Sequence, residues 1–248
     1  RRAKRCCAPR WGSPGIVDDR ELMRYFADLA RRLMAEETVS DTMQLIVDAA
    51  VELIEDCDHA SISHMRGKSL ISASSNDTIA IAIDGIQTGA EEGPCLDCIR
   101  TGEAMSTGDL LTDERWPVYG PHAVESVGIH SSLALPLHDG RRTVGALNLF
   151  ADRRGALAGD PDADATASIL AAHATPALMA ALHREDMAVA LESRDVIGQA
   201  KGVLMARAGV DEEQAFRLLV RASQRMQVKL AEVARRLVRG ELVEDPPH

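Results

Sequence analysis

The sequence predicts an α+β protein in which an antiparallel sheet flanked by helices is followed by a long connecting helix and a C-terminal three-helix bundle. Three observations support this prediction. Short β-rich runs separated by turns occupy residues 59–75 and 131–150, whereas helical spacing precedes them and resumes at Asp162. The dipeptide Asp139-Gly140 is a hairpin signal between two of these runs, so their strands should pair antiparallel. Strands grouped in this way, with helices before and after, favour a sheet that helices cover on one side.

Two helices are predicted before the first strand. Residues 1–36 should form a disordered basic tail, rich in Arg, Pro and Gly, and then the first helix. The second helix is expected to begin at Ser40 or Asp41, because either side chain can cap it. Apolar residues at helical spacing mark the buried faces, which are Leu22, Tyr25, Phe26, Leu29 and Leu33 in the first helix and Met43, Ile46, Val47, Ala50, Val51 and Ile54 in the second.

The central region should supply the strands and two short helical segments. Runs at 59–65 and 69–75 flank the turn Arg66-Gly67-Lys68, and runs at 131–138 and 142–150 flank the hairpin turn. Between these groups, "EGPCLDCIRTGE" is predicted to be a short helix and "DERWPVYGPHAVESVG" a helical segment broken by proline. Trp116-Pro117 is interpreted as a packed loop anchor rather than a cofactor contact.

The chain should end in a helical bundle. Helical spacing continues from Asp162 to Gly209, which should terminate the long helix, and Asp211 and Gln214 are spaced as a capping box for the next one. Phe216 is expected in the core of this bundle rather than as a platform for a stacked base. The full set of predicted buried positions in the last two helices is Ala215, Phe216, Leu219, Ala222, Met226, Leu230, Val233, Ala234 and Leu237.

Charge divides unevenly along the chain, whose net charge is −10. Residues 37–191 carry 9 Lys/Arg against 24 Asp/Glu, whereas residues 192–240 carry 10 against 6. This division predicts that any contact with a polyanion is local to the basic module. The expected organisation is a basic tail with the first helix at 1–36, a body with the start of the long helix at 37–180, the bundle at 181–240 and an acidic tail at 241–248.

Two glycines weaken the long helix beside two cations. Gly198 and Gly202 lie one turn apart, and each costs about 1 kcal/mol relative to alanine in a helix interior. On a wheel of about 100° per residue, Arg194 and Lys201 flank the apolar face and the glycines lie beyond them. A glycine on an outer face allows another backbone to approach closely. Beside cations this pattern favours nucleic acid, and packing in a helical dimer is the alternative.

The segment "IGQAKGVLMARAGVDEEQAFRLLVRASQRMQVKLAEVARRLV" is similar to the ANTAR domain, the RNA-binding output module of bacterial transcription antiterminators. One position departs from the family, which commonly has asparagine two residues before the third-helix lysine, where this chain has Gln227. The matching pairs and triplets are Ala200-Lys201-Gly202, Leu204-Met205, Ala215-Phe216, Ser223-Gln224, Lys229-Leu230 and Val233-Ala234.

The resemblance implies a specific kind of RNA partner. Family members bind RNA with two small stem-loops, each closed by a hexanucleotide loop, as a homodimer that places one ANTAR unit on each. Stabilising this paired hairpin prevents a terminator stem from forming, so the polymerase reads through.

A second resemblance covers roughly residues 37–180. The motifs "EGPCLDC", "DERWP", "SSLALPL" and "VGALNLFAD" are similar to the GAF domain, which precedes ANTAR in many bacterial regulators. GAF domains bind cyclic nucleotides, tetrapyrroles, metal centres or nothing, so the resemblance predicts a fold and assigns no cofactor. It implies a sensor or dimerisation domain whose small-molecule ligand, if it has one, stays unidentified.

The candidate RNA contacts combine cations and amides. RNA loops expose unstacked bases and closely spaced phosphates, and arginine can stack on the first and bind the second. Glutamines could hydrogen-bond base edges, whereas Ser223 is open between an RNA contact and a structural role. The candidates are Arg194, Gln199, Lys201, Gly202, Arg217, Arg221, Gln224, Arg225, Gln227 and Lys229.

The main alternative site is Cys95-x-x-Cys98, which gives a possible thiol-based redox or metal sensor. Nearby Glu91, Glu92 and Asp97 should raise the thiol pKa values, which argues against a reactive thiolate. Zinc would need more ligands, and the fold would have to bring them together from Cys57, His59, His64 and His130. A helical dimerisation or signalling module without RNA activity is the other alternative.

Composition predicts a cytoplasmic protein without catalytic activity. No leader pattern opens the sequence, and its longest apolar runs are interpreted as far short of the roughly 20 residues that cross a bilayer. Five cysteines in a long chain favour reduced thiols over a disulfide framework. No Ser/His/Asp constellation, paired-carboxylate motif or Gly-rich nucleotide loop stands out in the sequence.

Overall fold

The computed structural model describes residues 19–66, 69–138, 140, 143–159 and 161–241. The predicted N-terminal tail, the turn residues Gly67 and Lys68, the hairpin residue Asp139 and the acidic tail beyond 241 lie outside the described residues. The chain divides into two compact units, Arg1–Leu182 and His183–His248. The first unit contains the sheet, and the second contains the C-terminal helices.

The secondary structure follows the predicted order closely. The N-terminal stripes are confirmed, since Phe26, Leu29 and Leu33 of the first helix and Met43 and Ile46 of the second are buried. The elements are α1 (Asp19–Ala35), α2 (Val39–Leu53), β1 (His59–Arg66), β2 (Ser69–Ser75), α3 (Thr78–Ala90), α4 (Pro94–Thr101), β3 (Met105–Thr107), α5 (Tyr119–Val127), β4 (Ser131–His138), β5 (Thr143–Ala151), α6 (Pro161–Ala208), α7 (Glu212–Met226) and α8 (Leu230–Val238).

The sheet is antiparallel, with strand order β2-β1-β5-β4-β3, and helices cover both of its faces. Because side chains alternate along a strand, Leu133, Leu135 and Leu137 of β4 join one core cluster with α1, α2 and α6. The intervening Ala134 joins another cluster with Cys95 of α4. The expectation that helices cover the sheet on one side is therefore wrong: α3, α4 and α5 pack on the second face.

Three local features differ from the predictions. The N-cap of helix α2 is Thr38 rather than Ser40 or Asp41, because the Thr38 side chain accepts a hydrogen bond from the Asp41 backbone N–H at 3.0 Å. Helix α3 and the short strand β3 were not predicted. Asp77 caps α3 by accepting hydrogen bonds from the N–H groups of Ile79 and Ala80, both at 3.0 Å.

The loop before α5 is anchored as the sequence suggests. Trp116 is 1% exposed, and its Nε1–H donates to Asp97 of α4 at 2.9 Å. The Arg115 guanidinium lies 4.3 Å from the Trp116 ring centroid. Glu92 accepts hydrogen bonds from two backbone N–H groups at the start of α5. These contacts hold α4 and α5 together on the second face of the sheet.

Helix α6 runs without interruption through Pro176. It includes a stretch of 18 residues that is apolar enough to cross a membrane by length and composition, so the expectation that every apolar run falls far short is wrong. The core helix of a water-soluble domain can pass the same test. Ala167, Leu170, Ala174 and Leu178 of this helix are fully buried in the core of the first unit.

The second unit is the predicted three-helix bundle, formed by the end of α6 with α7 and α8. Gly209 has a left-handed backbone (φ 63°) and terminates α6, as predicted. The capping box of Asp211 and Gln214 at the start of α7 is also confirmed. The core of the bundle is small and apolar, and consists of Ala200, Leu204, Ala215, Leu219, Val233, Ala234 and Leu237.

Candidate nucleic-acid interface

Helix α7 presents three arginines away from the core. Arg217, Arg221 and Arg225 are exposed, and Ala215 and Leu219 turn the opposite side of the helix inward. Arg217 pairs with Glu213 at 3.1 Å, an exposed contact of the kind that contributes little. Arg221 and Arg225 make no ion pair within the described part of the chain. This outer face therefore carries guanidinium groups that are available to an anion.

Lys201 of α6 is already paired within the protein. Its Nζ lies 2.5 Å from an Oε1 atom of Glu212, the first residue of α7. The hydrogen bond and charge of Lys201 hold the pKa of the Glu212 carboxyl below its usual value. An RNA phosphate would have to compete with this carboxylate for the lysine. The sequence alone could not show this, because the two residues are eleven positions apart.

The outer face of α6 is open around its glycines. Gly198, Gly202, Arg194 and Gln199 are all exposed. A Cβ atom added at either glycine would meet no atom within 4 Å outside the local helix backbone. The packing of this chain therefore does not require glycine at these positions.

The turn between α7 and α8 explains two open questions. Ser223 has a structural role, since its hydroxyl donates to the Val228 carbonyl at 2.6 Å. Gln227 ends α7 in a left-handed conformation (φ 54°), where asparagine is more readily accommodated than most non-glycine residues. The left-handed conformation of this position therefore explains why asparagine is common there in the family. Gln224, Gln227 and Lys229 are exposed around the turn.

Phe216 does not lie in the core. The structure leaves it 42% exposed, so its predicted burial is wrong. On a helix of about 100° per residue, Phe216 falls at the edge of the face formed by Ala215 and Leu219 rather than at its centre. Its immediate neighbour Ala215 occupies the buried position.

The third helix carries cations that are partly neutralised. Arg235 lies within ion-pair distance of Glu192 and Glu232, and Arg236 also pairs with Glu232. These side chains are less available than the arginines of α7. This difference in availability cannot be predicted from the sequence, because it depends on which carboxylates the fold brings near each arginine.

The thiols of the alternative site are deeply buried. Cys95 is 1% exposed and Cys98 is 0% exposed. Burial raises the pKa of each thiol to about 12, which suppresses the reactive thiolate. Asp84 raises the Cys95 pKa further. A redox role for the two thiols remains a hypothesis that their burial opposes.

The candidate metal ligands have other partners. His59 lies between Asp77 and Asp152, with ring nitrogens 2.6 and 3.1 Å from their carboxylates. Cys57 donates to the His59 carbonyl at 3.3 Å, and His130 contacts Asp109. Within the described ranges, no group of three or more His, Cys, Asp or Glu residues is placed to hold a metal ion.

A polar cluster is buried between the sheet and helices α3 to α5. Asn148 of β5 donates to the hydroxyls of Ser61 and Ser63 at 3.1 and 3.2 Å, and Gln87 accepts from the Cys95 N–H at 2.9 Å. Four atoms in this region have no hydrogen-bond partner among the described residues, namely Gln87 Nε2, Tyr119 Oη, Ser132 Oγ and Asn148 Oδ1. Buried polar atoms are normally paired, so these four atoms are candidates for hydrogen bonds to a bound small molecule.

Comparisons with known proteins agree with this architecture. Residues 36–179 match the GAF domain family, and residues 185–238 match the ANTAR domain family. A search of curated proteins found no match.

Several solved structures share the fold of the first unit. Free methionine-R-sulfoxide reductase from Neisseria meningitidis, solved with its substrate, is 14% identical with a TM-score of 0.50, over 68% of this chain and 95% of that chain. A protein described as a GAF sensor from Burkholderia vietnamiensis is 13% identical with a TM-score of 0.50, over 68% and 96%. The GAF domain of an Acinetobacter phosphoenolpyruvate-protein phosphotransferase is 14% identical with a TM-score of 0.50, over 65% and 94%. Identities this low indicate the fold alone.

The GAF match covers more than half of the chain, and the ANTAR match coincides with the bundle that exposes the arginine row. The predicted order of a sensor-type domain followed by an RNA-binding output module is thereby confirmed. The chain belongs to the GAF domain family and joins that domain to an ANTAR domain, the architecture of a transcription antitermination regulator.

Proposed function

We propose that this protein recognises RNA with two small hairpins, each closed by a hexanucleotide loop, and that one ANTAR unit binds each loop. The observation that carries the proposal is the outer face of α7. Arg221 and Arg225 are exposed there without an ion pair in the described residues, although the chain as a whole has a net charge of −10. Cations left unpaired in an acidic protein favour a local polyanion contact.

The proposed contacts divide by chemistry. Arg221, Arg225 and Lys229 would bind phosphates or stack on loop bases, as guanidinium groups do in RNA complexes. The exposed amides of Gln199, Gln224 and Gln227 would hydrogen-bond base edges. Lys201, Arg217 and Arg194 would add further phosphate contacts, and Gly202 would allow the RNA backbone to approach.

Antitermination would follow from stabilising the paired hairpins. A homodimer supplies two ANTAR units, and binding both loops prevents the terminator stem from forming. The GAF domain, proposed here as residues 37–180, would dimerise the protein or sense a signal, and the bundle at 181–240 would bind the RNA. A signal acts in this scheme by favouring one state of the protein over another. The protein is proposed to act in the cytoplasm, where nascent RNA is available, and no catalytic step is assigned to it.

The test compares RNA binding by three forms of the full chain. The wild-type protein should bind a labelled tandem-hexaloop RNA tightly and a loop-scrambled RNA weakly. Arg221→Ala/Arg225→Ala should lose most of this binding, and the slope of log affinity against log salt should decrease by roughly 1.4 for two phosphate contacts to single-stranded RNA. The matched control is Arg24→Ala, which removes an exposed arginine from α1 and should leave binding unchanged.

Two further readouts test the proposal. Sedimentation velocity should show two chains on each tandem RNA, one ANTAR unit for each hairpin. Equal weak binding of all RNAs by wild-type protein would instead favour the helical dimerisation module. In that case the glycines and arginines would serve protein contacts.

We infer secondly that the GAF domain takes a small polar molecule at the buried cluster around Asn148. The unpaired atoms Gln87 Nε2, Tyr119 Oη and Asn148 Oδ1 favour this site. Thermal unfolding with cyclic nucleotides and with free methionine sulfoxide tests it. A compound that raises the Tm of wild-type protein but not of Asn148→Leu would identify the ligand class, and a shift of equal size in both would place the compound elsewhere.

A further inference from the structure

Phe216 is the sole Phe, Tyr or Trp residue in the sequence from 183 to 248, and it is exposed rather than buried in the bundle. Phe216 is 42% exposed on α7. The fully buried positions of the bundle are Ala200, Ala215 and Ala234, one in each helix. Such small residues allow helices to pack closely and leave no space for a phenyl ring between them. The bundle therefore keeps its aromatic side chain at the surface.

One contact shows which side of the bundle carries the ring. Lys201 of α6 meets Glu212 of α7 at 2.5 Å. Phe216 follows Glu212 by one helical turn, so both residues lie on the same side of α7. Arg194 precedes Lys201 by about two turns and lies on the corresponding side of α6. The ring is thus on the side of the bundle that carries these two cations.

The order of residues around α7 places cations on the other side of the ring as well. At about 100° per residue, moving away from the core past Phe216 reaches Val220 and Glu213, then Gln224, Arg217 and Arg221. Gln224 and both arginines are exposed. The ring therefore lies between the cations of α6 and the outer arginines of α7, with Val220, Gln224 and the Arg217-paired Glu213 between the ring and those arginines.

An exposed ring between cations matches the needs of an RNA loop. Each unstacked base offers a π-face to an aromatic side chain, and the phosphates on either side of it require positive charge. A surface ring intended for an apolar protein partner would instead be expected among other large apolar side chains. On α7, Val220 lies one turn after Phe216 but is half-buried, and the exposed Leu218 lies about 200° away around the helix.

We propose that Phe216 is the stacking platform for one base of the RNA loop, with Lys201 and Arg217 contacting the phosphates that flank it. The inference rests on the proposed RNA-binding function and adds a residue that reads the loop by shape. Both cations now pair with carboxylates of the first turn of α7, Glu212 and Glu213. The phosphates take the place of these carboxylates when RNA binds.

The first test measures the affinity of full-length variants for the tandem-hexaloop RNA. Phe216→Leu, which keeps the side chain apolar, should bind about 5- to 150-fold more weakly, the effect of losing one stacking platform. Phe216→Trp should bind at least as well as wild type. The matched control is Leu218→Ala, because Leu218 is 37% exposed on the same helix, and its affinity should be unchanged. Circular dichroism establishes that each variant is folded.

Salt dependence separates stacking from charge. Phe216→Leu should lower affinity equally at every salt concentration, because no phosphate contact is lost. Arg221→Ala should reduce the slope of log affinity against log salt by roughly 0.7. A reduced slope for Phe216→Leu would show that the ring acts by placing the cations and would overturn the stacking role.

A second test identifies the base. Abasic substitution at each loop position should reveal one position whose loss weakens wild-type binding but adds nothing to Phe216→Leu, as expected for partners in a double-mutant cycle. Additive losses at every position would overturn the inference.

The outcomes distinguish this inference from the proposed function. If wild-type protein fails to bind RNA, the proposed function is wrong. If wild-type binds, Arg221→Ala weakens binding and Phe216→Leu does not, only the stacking role is wrong. If Phe216→Leu dissociates a dimer in sedimentation velocity and leaves RNA affinity unchanged, the ring contacts a second copy of the chain instead.

Discussion

Replacing Gly202 by alanine should stabilise the ANTAR unit and weaken its binding to RNA. Gly202 lies inside helix α6, is exposed, and has no atom within 4 Å of the position that a Cβ would occupy outside the local helix backbone. The methyl group therefore causes no clash within the chain, and alanine should gain about 1 kcal/mol through its helix propensity. For a unit of this size that gain corresponds to a rise in Tm of roughly 4–8 °C. Gly198→Ala should behave in the same way.

The stability change can be assigned to one unit by spectroscopy. Neither tryptophan of the sequence lies in the second unit, His183–His248, so tryptophan fluorescence does not report directly on the unfolding of that unit. Far-ultraviolet circular dichroism reports on the helices of both units. The rise in Tm should therefore appear in circular dichroism and be absent from fluorescence.

RNA affinity should change in the opposite direction. If the RNA backbone contacts the helix at Gly202, the added methyl group overfills that contact. Overpacking costs about 1–3 kcal/mol, which is roughly a 5- to 150-fold loss of affinity. Gly85→Ala is a matched control, because Gly85 is also an exposed helical glycine with open space at its Cβ position, in α3 of the first unit. It should leave RNA binding unchanged.

Two results would refute this reasoning in different ways. Unchanged RNA affinity in stabilised Gly198→Ala and Gly202→Ala variants would mean that no RNA backbone comes close to these glycines. A failure to stabilise would mean that the helix is not regular at these positions.

Two other perturbations test the local chemistry. Gln227→Gly should raise the Tm of the ANTAR unit, because a left-handed backbone at φ 54° costs a side-chain-bearing residue about 1–2 kcal/mol relative to glycine. Gln227→Asn should give a smaller rise in Tm and keep RNA affinity. A fall in Tm for both variants would contradict the strain argument. Cys95 and Cys98 should react with iodoacetamide at pH 7 far more slowly in the native protein than in denaturant, since a pKa of about 12 leaves roughly one-thousandth of the thiolate found at an unperturbed pKa near 9. The native rate should rise with pH up to that value, and mass spectrometry locates the label. Rapid native labelling would restore the redox-sensor alternative.

Much of the fold could be predicted because its signals are local. The strand pairs 59–65 with 69–75 and 131–138 with 142–150 show β-rich runs bounded by turn residues, and the structure confirms them within one residue or so. The capping box at Asp211 and the left-handed Gly209 have sequence signatures that do not depend on tertiary contacts. These features are set within a few residues of the chain.

Helix α3 shows where local signals fail. Ile79, Ile81 and Ile83 alternate with a period of two, which is the spacing of a strand. Gly85 and Gly89 further lower the helix propensity of the segment. The helix forms nevertheless, because Asp77 caps its first turn and Ala80 and Ile83 are buried beneath it. Tertiary burial here outweighs propensity.

The candidate interface could be predicted only in part for a related reason. Sequence spacing places Arg217, Arg221 and Arg225 on one helix face, and the structure keeps them exposed. Sequence spacing does not show which cations the fold neutralises. The pairing of Lys201 with Glu212 and of Arg235 with Glu192 joins residues that are eleven and forty-three positions apart. Charge availability is thus a property of the tertiary structure.

The departures from local rules in the ANTAR unit favour a binding surface. Two glycines weaken the interior of α6, an aromatic ring stays exposed at Phe216, and Gln227 adopts a backbone that suits glycine or asparagine better. Each of these features reduces stability, and nothing in the described packing of the bundle requires the glycines or stabilises the exposed ring. Elsewhere in the unit, the caps and the apolar core follow the rules of helical bundles. Natural proteins tend to break local rules where function requires it. The concentration of these departures beside unpaired arginines is therefore what an RNA-contacting surface would produce, and the alanine variants at Gly198 and Gly202 measure it directly.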